Sequence, residues 1–264
     1  MAAYTLEKLL RRDRTIVITG SVTITLLAWL YTINRSARMT GMEGMSITQM
    51  GMPGMQVWQA EDILLNLIMW AVMMIAMMTP SASPMILTYA GLNRRRTTGT
   101  TSIFTTPSFL LGYLILWFTF SAGATLLQWK FQSAGLLSPN TIRLTPFAGG
   151  ILLIMAGIFQ FTPLKDICLA NCRTPLSFLT TEWRDGSKGA LVMGLRHGLY
   201  CLGCCWNLML LLFVAGVMNL LWVAFIAGFV IVEKVTPAGY WVSRVGGLLI
   251  LGWGVWSLFQ VAGM

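Results

Sequence analysis

Apolar runs of near-bilayer length, separated by short polar stretches, organise the chain from one end to the other. They fall at 15–33, 61–79, 107–128, 146–162, 189–213, 217–232 and 240–262. A helix needs about twenty apolar residues to cross the hydrocarbon core, so these runs predict seven spanning helices. The fourth and sixth are the shortest, which leaves six as the alternative. The expected fold is therefore all-α: a polytopic transmembrane helical bundle forming a single domain over 1–264. Three stretches break the apolar pattern: a methionine- and glycine-rich loop at 34–60, a basic turn at 91–106 around "NRRRTTGTTS", and a loop at 163–188 carrying "CLANC". No internal repeat is visible, so the inverted-repeat plan of many transporters is not expected.

Composition agrees with the pattern. Of 264 residues, 56% are hydrophobic and only 10% charged, and the mean hydropathy is +0.71. A soluble domain would carry about a quarter charged residues, so the first expected partner is a lipid bilayer. Lys8, Arg11, Arg12 and Arg14 precede the first run in the manner of a signal peptide. No small-residue cleavage site follows it, so the run is read as an anchor. An N-terminus in the cytoplasm also places Arg94, Arg95, Arg96, Lys165, Arg173, Arg184, Lys188, Lys234 and Arg244 on that side, leaving Arg35, Arg38, Lys130 and Arg143 outside. The expected location is a bacterial inner (cytoplasmic) membrane. The net charge of +9 is scattered through short loops and forms no stripe for nucleic acid, which is excluded as a partner.

Chemistry concentrates in the fifth run, in "RHGLYCLGCCWNLML". With about 100° per residue, Cys201 lies about 40° from His197, Cys204 about 20° on the other side, and Cys205 about 80° away. One helix face thus carries the only histidine and three of the five cysteines. Residues three and four apart can share an ion, yet one straight helix cannot surround it, so other segments should complete the site. The competing reading is close packing, since small residues let membrane helices approach. Cys168 and Cys172 in "CLANC" share a face at i, i+4 and could fold back beneath His197, where Lys165, Arg173 and Arg196 would favour thiolates. Alone, that pair fits an interfacial turn equally well. In the reducing cytoplasm a stable disulfide between them is disfavoured.

Sulfur also runs through the second helix. Asp62, Asn66, Met69, Met73 and Met77 share one face, with Met74 and Met78 beside it. Either this is a relay of thioethers, or the methionines face lipid or fill the core. Pro80 and Pro84 are expected to stop the helix. The outer loop "RMTGMEGMSITQMGMPGMQVW" repeats Met-x-x-Met at Met42/Met45 and Met52/Met55. Thioethers are soft, uncharged ligands suited to Cu(I) outside the cell, where exposed thiols would oxidise. Zinc would accept a Cys₃His set but has little use for methionine. One histidine excludes bis-histidine haem, haem–copper and di-iron centres.

At these residues the chain resembles a bacterial family of predicted metal-binding integral membrane proteins, a domain family of unknown function. The resemblance lies in "MMIAMMTPSASP", in "FTPLKDICLANCRTP" and in "WRDGSKGALVMGLRHGLYCLGCCWNLMLLLFVAGVMNLLWVAFIAGFVIVEKVTP". It implies metal binding at Met73, Met74, Met77, Met78, Cys168, Cys172, His197, Cys201, Cys204, Cys205 and Glu233, and names no reaction.

The expected function is copper capture, transfer or delivery without catalysis. Met42, Met45, Met52 and Met55 would capture Cu(I), Met73 and Met77 would relay it, and His197 with Cys168, Cys172, Cys201, Cys204 and Cys205 would hold it. Two alternatives stand: a membrane thiol–disulfide oxidoreductase working between Cys168/Cys172 and Cys201/Cys204, or a non-catalytic subunit of a larger copper-dependent complex. A partner membrane subunit or a periplasmic metal-binding protein would complete either delivery scheme.

Overall fold

The computed structural model describes residues 18–37, 59–96, 101–137, 143–217 and 219–263. The fold class is all-α, and every apolar run becomes helix where it is described. The helices are α1 over 18–37, α2 (Ala60–Arg96), α3 (Thr101–Ser133), α4 (Pro146–Phe159), α5 (Pro163–Arg173), α6 (Pro175–Thr181), α7 (Gly186–Leu210), α8 (Leu212–Ala215), α9 (Leu220–Val235) and α10 (Gly239–Ala262). A single antiparallel bridge between Leu137 and Leu144 is the one piece of β-pairing among the described residues.

Fewer than seven of the expected spans are borne out. Among the described residues, four helices are long and apolar enough to cross a membrane: α2, α3, α7 continued through α8, and α10. A fifth arises if α4 and α5, bent by 65° at their junction, count as one broken span. The sixth run shrinks to the 16 residues of α9, short of the twenty or so that a bilayer asks for. Its start is set by Asn219, whose side chain accepts from the Trp222 amide. Helix α1 runs past the first apolar run to include Asn34 and Arg35, which dilute its apolar character, and the run's opening residues 15–17 lie outside the described residues.

The second helix also overruns its expected stop. Pro80 and Pro84 sit inside α2, which continues to Arg96. A helical proline removes an N–H and frees the carbonyl four residues back. For Pro84 that carbonyl is Pro80 O, and Ser83 Oγ donates to it at 2.8 Å. Ser81 Oγ donates to Met78 O in the same turn at 2.9 Å. The serines of "TPSASP" therefore supply local hydrogen bonds where the helix ladder is interrupted. The segment expected as a loop over 163–188 likewise folds, for the most part, into α5, α6 and the start of α7.

At the centre stands α7. Its tightest neighbour is α3, whose contact with it is the most extensive in the fold. A Cβ on Gly194 would strike the Phe109 carbonyl oxygen, and one on Gly112 would strike that of Leu191. The two glycines thus let the backbones meet, as small residues do between membrane helices. α2 packs on α3 and α9, α5 lies against α7, and α10 pairs with α4. α7 and α8 end at Gly216, whose φ of 98° turns the chain toward α9. Around this frame the buried core includes Trp70, Phe109, Tyr113, Trp117, Phe213 and much of the sulfur in the chain.

Candidate metal centre

The α2 face predicted as a thioether stripe points inward. Met69, Met73 and Met77 are buried, as are Met74 and Met78 beside them, which rules out a lipid-facing stripe. At one end Gln128 of α3 accepts from Trp70 Nε1 at 2.7 Å and donates to Asn66 Oδ1 at 3.3 Å. From this polar collar the methionines descend through the core to Met78. Met193 and Met209 of α7 add two more buried thioethers.

Met78 meets the thiols. Cys205 Sγ lies 4.0 Å from Met78 Sδ. Cys204 and Cys205 both donate to the Cys201 carbonyl, at 3.2 and 2.8 Å. Cys172 of α5 lies within interaction range of the Cys201 and Cys204 thiols. Tyr113 of α3 contacts Cys201 Sγ at 3.3 Å and donates to Met78 O at 3.1 Å. Thiols of α7 and a thioether of α2 therefore lie together in the core, with Cys172 of α5 nearby. Cys168 stands to one side, against the bare backbone at Gly203. All five cysteines are free.

His197 lies one turn below Cys201 on α7, 2% exposed, among the rings of Phe109, Tyr113 and Phe178. Neither ring nitrogen has a hydrogen-bond partner. An unsatisfied buried polar group carries a desolvation cost of about 1–3 kcal/mol, so an imidazole with two free nitrogens is a feature that a ligand would relieve. The helix begins at Gly186, which sets His197 about 16 Å from that end and the thiols further in, near mid-span. Among the described residues, no three His, Cys, Asp or Glu side chains are arranged around one point. The donors present are soft sulfur with one imidazole, a set that fits copper in its monovalent state and does not form a closed tetrahedral zinc cage.

The cations expected beside the thiols are elsewhere. Arg196 faces outward and pairs with Glu182. Arg173 donates to the carbonyls of Thr236 and Pro237 at 2.6 and 2.9 Å. Lys165, expected in a loop, is wholly buried and pairs with Glu233 at 2.5 Å; it also donates to Gln160. The cation at the thiols is Lys234, read from the sequence as a topology-setting loop residue. It is 7% exposed and donates to Cys201 Sγ at 2.9 Å and Ser81 Oγ at 3.3 Å. Lys234, Tyr113 and Ser81 were all missed by the search for ligand-type residues. The available signal was the adjacent charge pair in "VEKVTP", closing an otherwise apolar run. Met42, Met45, Met52 and Met55 lie outside the described residues.

The described helices thus bury soft donors, thiols of α7 beside a line of thioethers on α2, of the kind that thiophilic metals prefer. The relationship is specific: residues 67–257 match the model of the PpoB2 copper chaperone family, and the chain belongs to that family. No curated protein and no solved structure matches the chain. The matched region contains Met73, Met77, all five cysteines, His197 and Lys234, and it excludes the methionine-rich loop.

Proposed function

We propose that this protein spans the bacterial cytoplasmic membrane and carries copper as Cu(I), received by the buried thiols and passed on to a partner. The observation that carries the reading is the buried group of Cys201, Cys204 and Cys205 against Met78, beside an imidazole whose nitrogens have no partner. Membership of a copper chaperone family supports copper as the metal. The four helices of spanning length and apolarity support the membrane, and the basic-residue bias supports an N-terminus in the cytoplasm. On this reading Met42, Met45, Met52 and Met55 capture Cu(I) outside, and Met69, Met73 and Met77 lead it inward. Two of the thiols then hold it. Thioethers bind Cu(I) without losing a proton and release it to thiolates, which are stronger donors. That difference gives the line of sulfurs a downhill direction. Recipients would be a partner membrane subunit or a soluble metal-binding protein.

The test is elemental analysis and X-ray absorption on protein purified anaerobically and loaded under reducing conditions, with the thiols counted. Bound copper in a sulfur-dominated shell with five reduced cysteines is expected. A metal-free protein with a pair of oxidised cysteines would overturn the reading. That outcome would favour the thiol–disulfide oxidoreductase instead, the second reading, since all five cysteines are free and Cys172 is near Cys201 and Cys204.

A further inference from the structure

The buried ammonium at the thiol cluster has no partner of the kind a lysine ordinarily finds. Among the described residues no carboxylate lies within ion-pair distance of Lys234, and its neighbour Glu233 is turned to Lys165. Its head group is held by Ser81 Oγ of α2 and Cys201 Sγ of α7. Cys204, Cys205, Cys172, Tyr113 and His197 also lie within its electrostatic reach. A charge buried without compensation is among the costliest arrangements in a protein. Among the described residues the nearest group able to balance it is the Cys201 sulfur.

We propose that Lys234 is the specificity-determining residue of the cluster, the fixed counter-ion of a Cu(I) ion held between two thiolates, and that it discriminates against divalent metals. The proposal rests on the copper reading of the site and adds the residue that makes it selective. A Cu(I) ion between two thiolates leaves one negative charge, which one ammonium neutralises. Zn(II) between the same two thiolates leaves none, so the ammonium would face a second cation in a dry interior. Zinc would restore neutrality by recruiting a third thiolate or by displacing the Lys234 proton; the first has no three-donor arrangement to use among the described residues, and the second costs zinc affinity. The extra unit charge on zinc, about 4 Å from an ammonium at an effective dielectric of about 20, corresponds to roughly a thousandfold in a binding constant. Side-chain movement would relax part of this, so tenfold is the threshold that matters.

The experiment uses the full chain in detergent micelles under anaerobic conditions. Cu(I) affinity is read by competition with a chromogenic Cu(I) chelator, and Zn(II) affinity by competition with a zinc-chelating dye. Wild type, Lys234→Met, Lys234→Arg and Ser81→Ala are compared. Lys234→Met should reduce the Cu(I)-over-Zn(II) preference at least tenfold, Lys234→Arg should retain it, and Ser81→Ala, which loosens the ammonium, should lower it severalfold. Should Lys234→Met fail to fold, the arginine and Ser81 variants carry the same comparison. An unchanged metal preference in Lys234→Met or Ser81→Ala, in protein that still binds Cu(I) at the thiols, overturns the proposal alone. Wild type that binds neither metal overturns the copper reading and this inference together.

Discussion

Two lysines are buried in the core of this protein, and they are held in opposite ways. Lys165, at the bend between α4 and α5, is paired with Glu233 and donates to Gln160, which in turn accepts from Ser243 of α10 at 3.0 Å. The Lys165 charge is answered by a carboxylate. Lys234, the next residue along α9 from Glu233, points to the other side and finds Ser81 and Cys201, with further thiols within electrostatic reach. The first lysine ties α5, α9 and α10 into one frame, with Asp166 and Arg244 adding a weaker bridge at 3.5 Å. The second leaves its charge to sulfur. A buried ion pair explains itself as structure, whereas a buried cation set against a thiol points to chemistry.

The comparison breaks most sharply at the thiols. Cys201→Ser with Cys204→Ser removes two of the four converging sulfurs and should lower copper affinity by more than a hundredfold. The change exchanges one small buried side chain for another, so the melting temperature of the metal-free protein should move by only a few degrees. Copper per chain, measured after desalting against a competing chelator, reads the first quantity. Copper retention equal to wild type would return the cluster to simple packing.

At the other lysine the effect should fall on stability and not on metal. Glu233→Gln leaves Lys165 buried and unpaired, which costs about 3–5 kcal/mol. Denaturant unfolding in detergent should show that loss. The fraction that remains folded should keep its copper affinity within a few-fold, since Glu233 faces away from the sulfur. A large affinity loss in folded Glu233→Gln would mean that the frame and the cluster are one unit.

How much of this was legible beforehand differs between the two regions. The one-face geometry of His197, Cys201, Cys204 and Cys205 follows from helical periodicity, and the residues do share the buried side of α7. Periodicity also placed Met73 and Met77 together, although only packing could decide between core and lipid. The lysines were not legible. A charge at the end of an apolar run reads as a loop residue, and the shift of α9 to Leu220–Val235 carries both Glu233 and Lys234 inside. The span count failed for a related reason, since run length in sequence does not show where a cap such as Asn219 starts the helix. Pro80 and Pro84 misled because the rule for proline takes no account of the serines beside them. The companionship of Cys172 with Cys201 and Cys204 depends on the 65° bend between α4 and α5, which no local pattern encodes.

His197 offers a smaller and two-sided effect. Its nitrogens are unpartnered in the metal-free protein, so His197→Phe should remove an unsatisfied polar group from an aromatic surround. Stability without metal should rise by about 1 kcal/mol. If the imidazole joins the sulfurs when copper is present, the same variant should bind copper about tenfold more weakly. Melting with and without Cu(I) separates the two: the gain on loading should be smaller in the variant than in wild type. An equal gain on loading would make the histidine a packing residue only.

The smallest effect is expected at the methionine-rich loop. Met42, Met45, Met52 and Met55 lie outside both the described residues and the segment that matches the copper chaperone family. Their proposed role is kinetic. A set of soft, neutral donors raises the local concentration of Cu(I) without holding it tightly. Replacing all four with leucine should leave equilibrium affinity within about twofold and slow loading from outside by a few-fold. In proteoliposomes of defined orientation, stopped-flow quenching by Cu(I) would give the rate, and equilibrium competition would give the affinity. A loading rate indifferent to the four substitutions would confine copper handling to the sulfurs of α2, α5 and α7. A large loss of equilibrium affinity would place part of the holding site in the loop itself.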